Sequence, residues 1–249
     1  MSEERLQKIL RMLENDRTLS AKELESRLYV SSATIRRDLA ELSRRGLIVR
    51  SHGKAMAVTR MAHAVAHGSP TLPDDPIGSA AAVLVKPNSI IFIAAGRSAL
   101  SLAKAVSKVA GLTVVTDSMA VADALCGHAA HIHCTGGHPL AGQDALSGSQ
   151  AAELAGFFYY HMAFFSGDSL TENGDITFYG LDRMPVLQTA AGHAEKKVLL
   201  FSREQMNAEP GSGLLRLKDM NYVVTDIPGY FSSGYFRSGY PGTVIGAGA

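Results

Sequence analysis

The most constraining feature of this sequence is a regular alternation of short apolar runs with helix-like segments through its larger C-terminal part. Residues 89–94, 112–116 and 222–225 are apolar runs of the kind found in strands buried on both faces. Amphipathic segments such as 99–109 lie between such runs. Because strands that alternate with helices form a mainly parallel sheet with helices on both faces, we predict an α/β domain over residues 76–249.

The remaining elements of this part follow from the same patterns. The predicted strands are 131–135, 161–166 and 197–201, and the predicted helices are 77–85, 119–125, 150–156 and 183–193. The tail 227–249 is rich in Gly, Ser and Tyr, so we expect it to be flexible or to cover a sheet edge.

Charge is unevenly distributed along the 249 residues. Residues 1–60 contain 13 Lys and Arg against 8 Asp and Glu, whereas the remaining residues contain 11 against 15. Contacts to phosphates need clustered cations, so this division suggests a small nucleic-acid-binding module joined to a larger domain. We predict that the module spans residues 1–58 and that residues 59–75, which have Gly and Pro but no apolar period, form a linker.

The basic module has the pattern of a helix-turn-helix followed by a hairpin. Leu6, Ile9, Leu10 and Leu13 have the spacing of one helix face and predict a first helix. Ser20 and Glu23 form a capping-box signature before a short second helix, and three residues separate that helix from a third helix over 32–45. Ile35 lies on the same face of the third helix as two leucines that follow it, so the opposite face is predicted to be exposed. The segments 47–50 and 55–58 predict a β-hairpin, or wing.

Long arginines between small alanines let a helix lie close in a major groove, where Arg contacts guanine or phosphate. Cations on the hairpin are placed to contact phosphates or a minor groove. The candidate DNA-binding residues are Ser32, Ala33, Thr34, Arg36, Arg37 and Arg44 on the helix, with Arg50, His52 and Lys54 on the wing.

The run Thr34-Ile35-Arg36-Arg37-Asp38-Leu39, followed by Gly46-Leu47 and Arg50-Ser51-His52-Gly53, resembles the N-terminal domain of the DeoR family of bacterial transcriptional regulators. The resemblance covers nearly all of residues 1–57. It implies that Thr34, Arg36 and Arg37 contact DNA from a recognition helix. Lys54 stands where the family usually has Gly, which adds one positive charge to the wing.

The residues that directly follow the predicted strands are small, hydroxyl-bearing or cationic. In a parallel sheet they meet at the carboxyl edge, where ligands bind, and helix N-termini there favour anions. The candidate effector-binding residues are Gly96, Arg97, Ser98, Thr116, Asp117, Ser118, Gly136, Gly137, Gly167 and Arg203. We therefore expect a small anionic ligand.

The family resemblance implies that the larger domain is Rossmann-like, is similar to ribose-5-phosphate isomerase and senses phosphorylated sugars. Two segments differ from the family pattern. The sequence has Ala94-Ala95-Gly96-Arg97-Ser98 for the usual Asp-Ser-Gly-Thr-Thr, and Phe201-Ser202-Arg203-Glu204 for Asp-Ser-Ser-Lys. An acid, a threonine pair and a lysine are thus replaced, and we expect a changed but still anionic effector.

The family resemblance implies a repressor of a carbohydrate-metabolism operon. Its expected partners are double-stranded operator DNA and a small anionic metabolite, such as a phosphosugar, which relieves repression. We expect a cytoplasmic protein, since the chain has only two cysteines and no signal-like segment. We also expect a homodimer or homotetramer, with no cofactor, bound metal, membrane anchor or catalytic residues.

Two alternatives remain open at this point. The first is a metal-sensing regulator, because N and S ligands suited to zinc are clustered at His128, His131, His133, Cys134 and His138. The second is a sugar-phosphate isomerase, for which Asp117 and Asp168 are the available bases.

Overall fold

The computed structural model describes residues 3–16, 18–44, 47–51, 54–57, 75–128, 130–140, 143–178, 180–208, 211–232 and 240–248. The chain divides into two compact units, Met1–Pro70 with Ala141–Gln143, and Thr71–Leu140 with Asp144–Ala249. The predicted linker lies outside the described residues except for Asp75. That residue caps a helix, and its side chain accepts a hydrogen bond from the Ile77 N–H at 3.0 Å.

The first unit contains three helices and a small sheet in its described part. Its elements are α1 (Glu3–Asp16), β1 (Thr18–Ser20), α2 (Ala21–Leu28), α3 (Ser32–Arg44), β2 (Ile48–Ser51) and β3 (Lys54–Ala57). The capping box is formed, because the Ser20 hydroxyl accepts from the Glu23 N–H and the Glu23 carboxylate accepts from the Ser20 N–H. Ile35 is fully buried in a core that the amphipathic faces of all three helices share.

A third strand joins the predicted hairpin. β1 pairs antiparallel with β3, with Leu19 opposite Ala55, so β3 is the central strand of the order β1-β3-β2. The strand β1 was not predicted from the sequence. Three residues are too few to show a strand period, and the partner strand β3 lies far away in the sequence, beyond α2 and α3.

The second unit has strands that alternate with helices. Its elements are α4 (Pro76–Ala81), β4 (Ile90–Ile93), α5 (Arg97–Val106), β5 (Thr113–Thr116), α6 (Met119–Leu125), β6 (His131–Cys134), β7 (His138–Pro139), β8 (Leu146–Ser147), α7 (Ser149–Gly156), β9 (Tyr160–Ser166), β10 (Ser169–Leu170), β11 (Asp175–Phe178), α8 (Met184–Gly192), β12 (Ala194–Phe201), β13 (Ser212–Arg216), β14 (Tyr222–Thr225), α9 (Pro228–Ser232) and β15 (Thr243–Gly246).

Seven of these strands form one sheet in the order β15-β14-β12-β9-β4-β5-β6, and every pairing in it is parallel. Alternate side chains of the central strands enter two separate cores. Phe92 and Phe165 pack with residues of α7 and α8 on one face, whereas Ile93 and Phe164 pack with α4, α5 and α6 on the other. The predicted α/β fold class is confirmed.

The end of the tail covers a sheet edge, which is one of the two expectations for it. Thr243–Gly246 is the edge strand β15, which pairs in parallel with β14. Its glycine content weakens the strand signal, and only its position beside β14 makes it a strand. The antiparallel sheets β10-β11-β13 and β7-β8 were not predicted from the sequence. β7, β8 and β10 have only two residues each, which is too few for a clear period.

None of the helices in the described ranges is long and apolar enough to cross a membrane.

The contact between α4 and α5 requires a glycine. A Cβ added at Gly78 would lie 2.4 Å from the Leu102 nitrogen and 2.4 Å from the Ser98 carbonyl oxygen, both of them backbone atoms of α5. We expect Gly78→Ala to lower the free energy of unfolding by about 2 kcal/mol, because the two helices must separate. Urea denaturation measures this change.

Gly192, at the end of α8, is the matched control, because a Cβ there meets nothing within 4 Å among the described residues. Gly192→Ala should leave stability unchanged or raise it slightly. Equal effects of the two substitutions would contradict the close packing of α4 on α5.

Candidate nucleic-acid interface and effector site

The exposed face of α3 carries the arginines that the sequence analysis selected. Arg36 and Arg37 are both exposed, as is Ala33 beside them. Within the described residues neither Arg36 nor Arg37 makes an ion pair. Their guanidinium groups are therefore available to an external acceptor such as a base edge or a phosphate.

The other candidates on α3 have partners inside the protein. The Ser32 hydroxyl donates to Glu25 Oε1 of α2 at 2.5 Å, and the Thr34 hydroxyl lies 3.0 Å from the Ser31 hydroxyl. Arg44 is exposed but pairs with Glu41 at 2.6 Å one turn earlier. On the wing, Lys54 is exposed. The Arg50 side chain and His52 lie outside the described residues.

An ion pair between a buried aspartate of α3 and a half-buried arginine of α1 joins the two helices and was not predicted from the sequence. Asp38 of α3 is completely buried, and its two carboxylate oxygens accept from Arg5 of α1 at 2.5 and 3.1 Å. The hydrogen bond to Asp38 raises the pKa of Arg5. An aspartate within the apolar stripe of a helix is the signal that could have revealed the pair, because a buried carboxylate needs a partner.

In the second unit, the loops after the parallel strands are bonded to one another at the carboxyl edge. The Ala95 N–H, after β4, donates to Asp117 Oδ1 after β5 at 2.6 Å. The Arg203 N–H, after β12, donates to Asp226 Oδ1 after β14 at 2.8 Å. The Gln205 side chain donates to the Gly167 carbonyl after β9. The structure therefore brings most of the candidate effector residues to a single edge.

Arg97, the first residue of α5, is not an isolated cation. Its guanidinium lies 3.3 Å from Asp75 Oδ2 and 3.1 Å from Glu204 Oε2. Ser98 also donates to Asp75, at 2.8 Å. An anion that binds Arg97 therefore has to compete with two carboxylates.

The segment after β5 is completely buried and internally bonded. The Thr116 hydroxyl donates to the Ile93 carbonyl at 2.6 Å and accepts from the Ser118 N–H. Ser118 caps α6 and donates to Asp144, which also accepts from the Ala120 N–H at 3.2 Å. Backbone N–H groups at the N-terminus of α6 therefore already donate to oxygens of Ser118 and Asp144.

Asp117 is paired with a buried arginine that the sequence analysis did not select. Arg183 is 5% exposed, and its Nη2 lies 3.1 Å from Asp117 Oδ2. Burial raises the pKa of Asp117, and the nearby Arg183 charge opposes that increase. The two residues are far apart in sequence, so no local pattern could have joined them.

The glycines of this edge differ in what surrounds them. A Cβ at Gly96 would lie 2.5 Å from the Ser166 Cβ, and one at Gly137 would lie 2.1 Å from the Ser147 carbonyl oxygen. A Cβ at Gly167 would lie 2.6 Å from Ile176, whereas one at Gly136 would meet nothing within 4 Å among the described residues. The first three therefore allow close packing of loops, and only Gly136 leaves room.

The histidine cluster does not assemble as a metal site in the described structure. His131 and His133 share the exposed face of β6, but His133 packs against Phe158 with ring centroids 5.0 Å apart. Over the described ranges, no three His, Cys, Asp or Glu side chains are grouped as metal ligands.

Comparison with known families agrees with both units. The model of the DeoR-like helix-turn-helix domain matches residues 5–61, and that of the DeoR C-terminal sensor domain matches residues 75–227. The chain belongs to the DeoR family. The predicted family and its function as a DNA-binding transcriptional regulator are confirmed.

Curated relatives of this DeoR-family regulator match over most of their length. The uncharacterized HTH-type transcriptional regulator YgbI of Escherichia coli K12 is 31% identical over 229 residues, covering 90% of this chain and 89% of the relative. The lactose phosphotransferase system repressor of Streptococcus mutans is 26% identical, with coverages of 90% and 92%. The HTH-type transcriptional regulator GlpR of Haloferax volcanii is also 26% identical, with coverages of 90% and 89%.

Among solved structures, ribose 5 phosphate isomerase A from Neisseria gonorrhoeae is 14% identical, covers 54% of this chain and 53% of its own, and has a TM-score of 0.39. A 4-hydroxybutyrate CoA-transferase from Porphyromonas gingivalis is 17% identical, with coverages of 59% and 38% and a TM-score of 0.39.

The buried ion pair of the first unit gives a direct stability test. We expect Asp38→Ala to lower the free energy of unfolding of this unit by about 2 kcal/mol, because Arg5 loses a charge-assisted bidentate partner. Operator affinity should fall as well, since α3 loses its tie to α1. Denaturation followed by circular dichroism measures the first effect, and fluorescence anisotropy with operator DNA measures the second.

The matched control is Asp16→Ala, which removes an exposed pair with Arg27 whose side chains are 41% and 45% accessible. Exposed pairs contribute little, so stability should change by less than about 0.5 kcal/mol. A similar loss in both variants would show that burial of Asp38 has no special role.

Proposed function

We propose that this regulator represses an operon of carbohydrate metabolism and that a small anionic metabolite, such as a phosphorylated sugar, releases it from double-stranded operator DNA. The observation that supports the proposal most directly is the exposed arginine face of α3, which Asp38 and Arg5 hold on a packed three-helix core. We propose a DNA-binding domain at 1–58, a linker at 59–75 and an effector domain at 76–249.

The DNA side of the proposal is supported by charge and exposure. Arg36 and Arg37 present their guanidinium groups beside a small alanine, which allows α3 to approach base edges in a major groove. Lys54 is exposed on the wing, where a cation reaches the phosphate backbone. Ser32 and Arg44 are secondary candidates, because each is bonded to a glutamate in the described structure.

The effector side is supported by the convergence of the ends of the seven parallel strands at one edge. The family model calls this unit a sensor domain, and the Streptococcus mutans relative is a lactose phosphotransferase system repressor. We propose that the ligand binds near Gly96–Ser98, Asp117, the Gly136-Gly137 turn and Arg203. Arg203 is exposed, and so it can add positive charge without being dehydrated.

We further propose that the protein acts as a homodimer or homotetramer in the cytoplasm. One small winged helix rarely gives enough specific affinity, and two heads read two half-sites. A ligand that binds unequally to two arrangements of the subunits shifts the equilibrium between them. Release follows if the ligand-bound arrangement no longer matches the spacing of the half-sites.

We propose no catalytic activity. The acid and the lysine that the family pattern would place at this edge are Ala94 and Glu204, and Asp117 is buried against Arg183. General acid–base catalysis needs a group within reach of the substrate. Turnover of pentose or hexose phosphates by the purified protein would overturn this part of the proposal.

Arg37→Ala tests the direct reading of bases. If Arg37 contacts a base, affinity for the operator should fall by about 1–3 kcal/mol, with a smaller loss on unrelated DNA. Lys54→Ala is the comparison, because losing a phosphate contact should weaken binding to all sequences and flatten the salt dependence. Anisotropy titrations at several salt concentrations measure both. Unchanged operator affinity in Arg37→Ala, or a base-selective effect of Lys54→Ala, would contradict these placements.

A ligand screen tests the effector. Sugar phosphates and other small anions should include a compound that raises the melting temperature of the full chain and weakens operator binding several-fold, because a ligand specific for one state stabilises that state. Unphosphorylated sugars are the matched controls. The anionic effector is wrong if stabilisation and release occur equally well with the uncharged sugars.

A further inference from the structure

The buried guanidinium of Arg183 is only partly satisfied. Its Nη2 donates to Asp117 Oδ2 at 3.1 Å and lies 3.4 Å from the Ala95 carbonyl oxygen. Its Nε, however, is buried and has no hydrogen-bond partner within the described structure. A buried donor without an acceptor is costly, and guanidinium has several donors in a planar fork suited to two oxygens of one group.

A second buried polar atom without a partner lies in the same part of the fold. Thr135 Oγ1 is buried and has no partner in the described ranges. The Thr135 N–H donates to the Thr116 carbonyl at 2.9 Å, so Thr135 lies directly beside the strand end that carries Asp117. The Ser147 hydroxyl donates to the Asp182 carbonyl, which places the start of α8 against β8.

The same neighbourhood continues through β8. The Leu146 N–H donates to the Asp117 carbonyl at 2.6 Å, and the Gly137 backbone lies against the Ser147 carbonyl. Hydrogen bonds therefore connect Asp117 after β5, Thr135 after β6 and Arg183 just before α8. Both unpartnered atoms belong to the carboxyl edge, where ligands of parallel sheets bind.

We propose that Arg183 binds the oxyanion group of the effector, and that Asp117 holds its guanidinium when no effector is bound. This inference rests on the proposed function and identifies the residue that recognises the ligand charge. An oxyanion can accept from two nitrogens of the Arg183 fork, and the Thr135 hydroxyl can donate to a further oxygen. Phosphate and carboxylate groups share this chemistry.

Asp117 would then act as an internal competitor. Its carboxylate occupies the guanidinium that an incoming anion needs, and its own negative charge repels that anion. Arg97 is restrained in the same way by Asp75 and Glu204. Because Asp117 occupies the guanidinium, an anion with few other contacts binds weakly. An effector must make enough additional contacts with the protein to displace the Asp117 carboxylate.

Substitutions that keep the shape of the pair test this exchange. Asp117→Asn retains an oxygen that can accept from the Ala95 N–H but removes the competing charge, so inorganic phosphate should stabilise this variant at several-fold lower concentration than the wild type. Because Arg183→Gln alone leaves a buried carboxylate unpaired and can fail to fold, the second variant is the double substitution D117N/R183Q. It should fold but lose the response to phosphate.

Melting temperature of the full chain is measured against inorganic phosphate, and against acetate to separate phosphate from carboxylate recognition. Arg216→Gln is the control, because Arg216 of β13 is 61% exposed and lies 3.8 Å from Asp175 of β11, away from Asp117. Its response should equal that of the wild type. Stabilisation by either anion that disappears in D117N/R183Q supports the proposal. A response that persists in the double variant overturns it, as does the absence of any response in Asp117→Asn.

Operator release separates this inference from the proposed function. If a phosphorylated sugar releases wild type and D117N/R183Q from operator DNA equally well, the regulator functions as proposed and the assignment of Arg183 is wrong. If no small anion releases the wild type, the effector part of the proposed function is itself wrong, whatever the phosphate titrations show.

Discussion

Parallel pairing of the seven-strand sheet is the constraint on which the second unit depends. Since every pairing is parallel, each strand ends at the same edge, and the chain must return through a helix or another crossover before the next strand begins. Helices therefore cover both faces, and two cores form from alternate residues of the same strands. The loops at the carboxyl edge are brought together because the strands are parallel, and close packing at Gly96 and Gly137 joins them.

That edge is electrostatically more balanced than its arginines suggest. Asp75 and Glu204 form ion pairs with Arg97. Asp117 forms an ion pair with Arg183. Asp144 accepts a hydrogen bond from the backbone at the start of α6. Burying a charge is costly unless it is paired, so these carboxylates stabilise the cations in the protein without a ligand. They also make anion binding a competition, which favours ligands with several contacts over simple ions.

Much of the fold could be predicted from local patterns. The bounds of α6 and β14 match the predicted 119–125 and 222–225, because buried apolar runs and capping residues are local signals. The capping box at Ser20 and the buried stripe of α3 were predictable for the same reason. In the first unit, however, the pairing of Leu19 with Ala55 depends on contacts between distant parts of the chain.

The same limit applies to the site. Sequence patterns indicated which loops meet at the carboxyl edge, but they did not show that Arg97 and Asp117 already have charged partners. Arg183 was missed because the pattern that predicted a helix over 183–193 does not show that its first side chain is buried, and the partner of Arg183 is 66 residues away. Asp38 lies in a recognisable motif, but only the fold shows that Arg5 is its partner.

In the proposed function, a ligand bound to the sensor domain and DNA bound to the winged helix oppose each other. Such coupling is reciprocal, so the factor by which an effector weakens operator binding must equal the factor by which operator weakens effector binding. Isothermal titration of an effector found in the ligand screen, with and without saturating operator DNA, measures the second factor directly. Equal factors greater than one are expected. An effector affinity that is unchanged by operator DNA would contradict the coupling.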